Sequence, residues 1–165
     1  PIRAVRITAA RGLADIPDAQ LTADQIRLRQ RGLTEFIAAQ EAMADMPSAQ
    51  INLAQLQLEL GKPQAAATHY RRAIAQDPVS NAARLGLARQ LVASRQLEAA
   101  TRLLDEGIAR SGQPGELHFA LGLVAGQQKN WKEAAAQLQR AAELMPDDRR
   151  IRRNLEAVQQ YLRQE

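Results

Sequence analysis

The stretch WKEAAAQLQRAAELMPDD, residues 131–148, repeats in skeleton what PQAAATHYRRAIAQDP, residues 63–78, has already spelled. Their starts lie 68 residues apart, twice 34. A shift of 34 brings the middle of the chain into register without gaps. Ala66, Ala100 and Ala134 coincide, as do Leu53, Leu87, Leu121 and Leu155. Tyr70, Leu104 and Leu138 form a large apolar column, and Ala73, Gly107 and Ala141 a small one. Pro78, Gly112 and Pro146 form a column of breakers. Five columns in phase at one period mark an internal repeat.

Elementary helix geometry explains the columns. Ala66, Tyr70 and Ala73 are spaced i, i+4, i+7, one face of a helix, and Leu53, Ala54 and Gln57 sit on the helix before it. A small residue in the 66 column lets two helices approach closely, and a large one in the 70 column fills the groove between units. The short connections Gly61-Lys62-Pro63, Arg95-Gln96 and Lys129-Asn130 make the paired helices antiparallel neighbours. Pro78 and Pro146 close their units.

Composition agrees with this reading and narrows the function. Of 165 residues 45% are hydrophobic but only 3% aromatic, which favours close-packed helices over a β-sandwich. The absence of Cys removes disulfides, thiolate metal sites and Cys nucleophiles together. No apolar run approaches the roughly 20 residues that a membrane helix needs. The net charge of +4 is carried mostly by Arg, but acids are interleaved with it, so the charge reads as a solvated mixed surface. The chain begins at Pro1 rather than Met, as an excised or processed piece would.

The period and the columns resemble the tetratricopeptide repeat, whose pattern is W-x2-L-G-x2-Y, then A-x3-F, then P over 34 residues. Frames at 47–80, 81–114 and 115–148 match its Leu, its later Ala and its breaker. The Gly position holds Ala54, Ala88 and Gly122, always small; the Trp position holds Gln50, Arg84 and His118; the Tyr position holds Gln57, Leu91 and Ala125. The resemblance implies an all-α, right-handed α-α superhelix of three repeats. Residues 149–165 then form a C-terminal capping helix, since terminal repeats need a polar outer face.

Residues 1–46 read as an N-terminal helical extension. Thr22 and Gln25 form a capping box for one helix over 21–46, with Leu33, Phe36, Ile37 and Met43 as its apolar stripe and Met46-Pro47 as its end. Upstream, Ile2, Val5, Ala9 and Leu13 form a short stripe, and AVRITAARGLA resembles the tail of a HEAT repeat, whose partner helix would lie before Pro1. The order of HEAT-like tail, linking helix and repeats resembles the C-terminal part of certain bacterial multihaem cytochrome c-type proteins. That resemblance implies a docking module of an electron-transfer protein in the periplasm; without it the expectation is cytoplasmic. With no Cys, this chain can hold no covalently attached haem and is expected to carry no cofactor.

Chemistry is hard to find. His69 and His118 are too far apart in sequence for a helical ligand pair, and no HExxH, Walker loop, G-x-S-x-G or G-x-G-x-x-G occurs. Asp147-Asp148 reads as a helix start. The expectation is a non-catalytic scaffold.

In the family, the first helices of the repeats line a concave groove. Carried over, the lining is Ile51, Asn52, Gln55 and Glu59, then Leu85, Arg89 and Val92, then Glu116, Phe119, Leu123 and Gln127, then Arg150, Arg153, Asn154 and Tyr161. Asn52 and Asn154 stand where many relatives use an Asn to bond peptide backbone, with Gly86 and Ala120 interrupting the ladder. Arg89, Arg150 and Arg153 offer guanidinium groups to carboxylates, and Phe119, Leu85 and Leu123 offer apolar contact. Phe119 is expected to be exposed there, whereas Trp131 is expected to pack against a neighbour. The resemblance implies a protein or peptide partner, acidic or C-terminal in character. The Lys, Asn and Arg positions of a chaperone-type carboxylate clamp are not filled, so a chaperone-tail ligand is not expected. The RRIRR cluster at 149–153 raises a nucleic-acid alternative, which the lack of aromatic platforms weakens. Self-association through Ala-rich repeat ends stays open.

Overall fold

A computed structural model describes residues 2–164. Among them the regular structure is helical: α1 (Arg3–Gly12), α2 (Ala23–Glu41), α3 (Pro47–Glu59), α4 (Pro63–Gln76), α5 (Asn81–Ala93), α6 (Leu97–Arg110), α7 (Gly115–Gln127), α8 (Trp131–Leu144) and α9 (Arg149–Leu162), with one 3-10 turn at Asp18–Gln20. Helices pair as α1–α2, α3–α4, α5–α6 and α7–α8, and α9 packs on α8. Two units result, Pro1–Gln76 and Asp77–Glu165.

The sequence columns are the core. Ala66, Ala100 and Ala134 are fully buried, as are Ala73 and Ala141, and Leu104 and Leu138 fill the spaces between helices. The 61 column closes each hairpin in the same way. Gly61, Arg95 and Lys129 all have positive φ, at 68°, 58° and 59°. The following amide reaches back to the carbonyl five residues earlier: Lys62 to Gln57, Gln96 to Leu91 and Asn130 to Ala125, at 2.7–2.9 Å. This left-handed ending satisfies carbonyls that the helix leaves bare. Only the first of the three uses glycine. A side chain in that conformation costs about 1–2 kcal/mol, and glycine gives back about 0.4–1 through the unfolded chain. Lys129→Gly is therefore expected to stabilise the protein by about 0.5–1 kcal/mol in urea unfolding; no change would show that the turn carries no strain.

The first 46 residues depart from expectation. The capping box forms: the Thr22 amide donates to Gln25 Oε1 at 2.8 Å and the Gln25 amide to Thr22 Oγ1 at 3.3 Å. But α2 stops at Glu41, not 46, and Met43 is exposed. Pro47 does not end this helix; it starts α3, where a missing N–H does no harm. The intervening turn is held by its Ala44 carbonyl, which accepts from Gln50 Nε2 at 2.8 Å and Gln76 Nε2 at 2.7 Å.

The partner of α1 is α2, within this chain rather than before Pro1. The face read from the sequence is also corrected. Ile2, Val5 and Ala9 are exposed and Ala10 is the buried residue. Two interactions turn the helix this way. A Cβ on Gly32 would lie 2.4 Å from Ala10 Cβ, so the helices touch there. Arg6 makes a bidentate pair with Glu35, its shortest contact 2.9 Å, which lowers the Glu35 pKa. Gly32 and Phe36 stand 34 residues before Ala66 and Tyr70, so α2 is in phase with the repeats. Helix α1 is not, because Ala10 precedes Gly32 by 22 residues, whereas Ala54 precedes Ala66 by 12. The ten extra residues form the longer connection, pinned by Arg29, which donates to the Ile16 carbonyl at 2.7 Å and pairs with Asp18.

Candidate functional site

In the second unit α5 and α7 enclose a groove of about 280 Å³. Its floor is Leu104, Ala88, Val124 and Phe119, all buried; Leu85, Val92 and Ala120 are half-buried walls, and Leu123 is exposed at the edge. Arg89, Glu116, Gln127 and Arg150 supply the polar rim.

The expected exposure of Phe119 is corrected: it is 9% exposed and belongs to a core cluster with Leu138, Ala141 and Ile151. One ring face carries the Arg150 guanidinium at 5.3 Å from its centroid. A cation on an aromatic face is itself a stabilising contact. Arg150 is also taken up by two carboxylates, Glu116 at 2.7 Å and Asp148 at 2.6 Å. These bonds raise the Arg150 pKa, and the Arg150 bonds lower that of Asp148. Asp148 caps α9 as well, accepting from the Arg150 amide at 2.8 Å. The basic cluster at the start of α9 is thus compensated at its second arginine. Arg89 differs: among the described residues no carboxylate pairs with it.

Eight of the fifteen lining residues carried over from the family meet here: Leu85, Arg89, Val92, Glu116, Phe119, Leu123, Gln127 and Arg150. The others do not. Asn154 donates to the Arg150 carbonyl of its own helix at 2.7 Å, and Arg153 is exposed elsewhere on α9. Asn52 and Gln55 belong to the first unit. There the Asn52 Nδ2 donates to Gln40 Oε1 at 2.9 Å, and Gln55 is exposed. Ala88, Ala93, Leu104, Ala120 and Val124 were missed. Ala88 and Leu104 fall in core columns, and nothing in a one-dimensional pattern tells a covered core residue from the floor of a groove. Trp131 does pack, its ring centroid 4.4 Å from that of Tyr161.

Among the described residues no helix is long and apolar enough to cross a membrane, and no group of three His, Asp or Glu could hold a metal ion. No curated protein sequence matches the chain. Solved structures do. The TPR protein YrrB, described as having an unusual peptide-binding site, is 24% identical with a TM-score of 0.62, over 74% of this chain and 63% of its own. PilF of Pseudomonas aeruginosa is 18% identical with a TM-score of 0.72, over 98% of this chain and 69% of its own. The first TPR domain of human RPAP3 is 17% identical with a TM-score of 0.66, over 72% of this chain and 94% of its own. At these identities the likeness is one of fold. Three family models, each described as tetratricopeptide repeat, match residues 5–81, 57–125 and 115–148. Together with the helix pairs and the 34-residue columns, they show that the chain belongs to the tetratricopeptide repeat family, a fold that commonly serves as a protein-interaction scaffold.

Proposed function

We propose that the second unit docks a segment of a partner protein in the α5–α7 groove. A bulky apolar side chain of that segment lies over Leu85, Val92, Phe119 and Leu123, and a neighbouring carboxylate meets Arg89. The observation that carries the reading is the groove's make-up: an apolar floor with one rim cation, Arg89, that no carboxylate among the described residues takes up. Burial of the apolar side chain supplies affinity, and the arginine supplies orientation. The lining contains no pair of nucleophile and base, which favours binding over catalysis.

Random linear peptides displayed on phage and selected on the purified protein test this. The selected peptides should place Leu, Ile, Phe or Met beside Asp or Glu. Arg89→Glu should weaken them about tenfold or more, the worth of a charge-assisted bond lost. Leu123→Asp should weaken them too. Peptides without that pairing, or peptides that bind both variants undiminished, would overturn the proposal.

A further inference from the structure

The first unit holds a second groove, and its residues correspond to those of the first one described. The register comes from the close-approach point of each hairpin. Ala10 faces Gly32, and a Cβ on Gly122 would lie 3.3 Å from the Ala134 carbonyl. Ala10 therefore corresponds to Ala88 and Gly122. Counted from there, Ile7 matches Leu85, Arg11 matches Arg89 and Asp15 matches Ala93, while the unbroken repeat makes Glu59 match Gln127 and Phe36 match Leu104. The groove between α1 and α3 is lined by Ile7, Arg11, Asp15 and Glu59, and that between α5 and α7 by the four counterparts.

They differ in state. Arg11 lies over the Phe36 ring, 5.0 Å from its centroid, and is bound by both Glu59 oxygens, with Nε donating to Oε2 at 3.0 Å. Its arginine is already taken up by a carboxylate of its own chain. In the other, the counterpart of Glu59 is Gln127, which has no charge to offer, and Arg89 is left exposed. We propose that Glu59 acts as a built-in ligand that occupies Arg11, and that Gln in place of Glu at 127 is what leaves Arg89 open to a partner's carboxylate. The Arg11–Glu59 pair then displays the bidentate geometry that a bound carboxylate adopts on Arg89. This rests on the docking reading for what enters the second groove, but not for the state of either arginine.

Two substitutions test it, Gln127→Glu and Glu59→Gln, each with two readouts on the full chain. The first needs no ligand: the arginine Nε–Hε signals in nitrogen-15 NMR. Gln127→Glu should slow solvent exchange at Arg89, and Glu59→Gln should speed it at Arg11. The second uses an acidic-apolar peptide selected on the unmodified protein. Gln127→Glu should weaken that peptide about tenfold or more, and Gln127→Leu should not. Glu59→Gln should add a second binding event. If both NMR signals stay where they were, the inference is overturned even though the peptide binds. If the signals move as stated but no peptide can be selected, the self-occupied Arg11 stands and the docking reading falls. A second event in Glu59→Gln that persists in Glu59→Gln/Arg11→Ala would also overturn the inference, because the freed arginine would not be the receptor.

Discussion

Gly32→Ala is expected to cost the first unit about 2–3 kcal/mol, against the ordinary rule for helices. Alanine is the better helix former by about 1 kcal/mol, so in an open helix the change would stabilise. Here the new Cβ would stand 2.4 Å from Ala10 Cβ and 2.7 Å from the Arg6 carbonyl oxygen. One of those atoms is backbone, so no rotamer change relieves the contact. Helix α1 would have to move away by about an ångström, and overpacking of that kind costs about 1–3 kcal/mol, occasionally more. The shift also strains the Arg6–Glu35 pair one turn away. Ala10→Gly removes the nearer clash and leaves the carbonyl one, so the double variant should recover part of the loss. Urea unfolding with amide exchange read in α1 measures both. A Gly32→Ala protein more stable than the parent would mean that α1 does not pack on Gly32.

That contact also marks where the sequence stops being legible. The 34-residue columns hold wherever the connection between paired helices keeps its length, so every buried column residue from Leu53 to Leu138 was readable. Ten extra residues before Gly32 put α1 out of phase. Nothing local then distinguishes Ala9 from Ala10, and the more hydrophobic Ile2 and Val5 attract the assignment. The site shows the same division. Positions on a helix face could be carried over, so Leu85, Arg89, Phe119, Leu123 and Arg150 come together at the α5–α7 groove. Whether a charge is paired could not, because it depends on partners distant in sequence: Glu116 lies 34 residues from Arg150, and Glu59 lies 48 from Arg11. Arg150 read as a free cation and is bound twice, whereas Arg89, on the same reading, stands open.

Gly107→Ala is expected to lose about 1–2 kcal/mol in the parent, and to become neutral or favourable once Arg84 is shortened. The small column reads Ala73, Gly107, Ala141, and the missing-Trp column reads Gln50, Arg84, His118. In the first and third repeats the latter side chain turns to the neighbouring helix. Gln50 Oε1 meets His69 Nδ1 at 2.9 Å, and His118 Nδ1 meets Gln137 Oε1 at 2.6 Å, the same link with its two residue types exchanged. In the second repeat Leu103 stands at that place. Arg84 instead lies buried, 2% exposed, with Nη1 donating to the Pro78 carbonyl at 2.6 Å. A Cβ on Gly107 would stand 2.5 Å from Arg84 Cδ and 3.0 Å from Leu117 Cδ1. The arginine cannot retreat, because its far end is fixed and enclosed. Arg84→Gln restores the pairing of the first repeat, Gln with Ala, and leaves only the Leu117 contact, which a shift of that side chain by a few tenths of an ångström can absorb. A double-mutant cycle in urea should therefore show a coupling of about 2 kcal/mol, with the sign of Gly107→Ala changing across it. An equal loss in both backgrounds would sink the idea that the glycine exists for the arginine, and would assign the tightness to Leu117 instead.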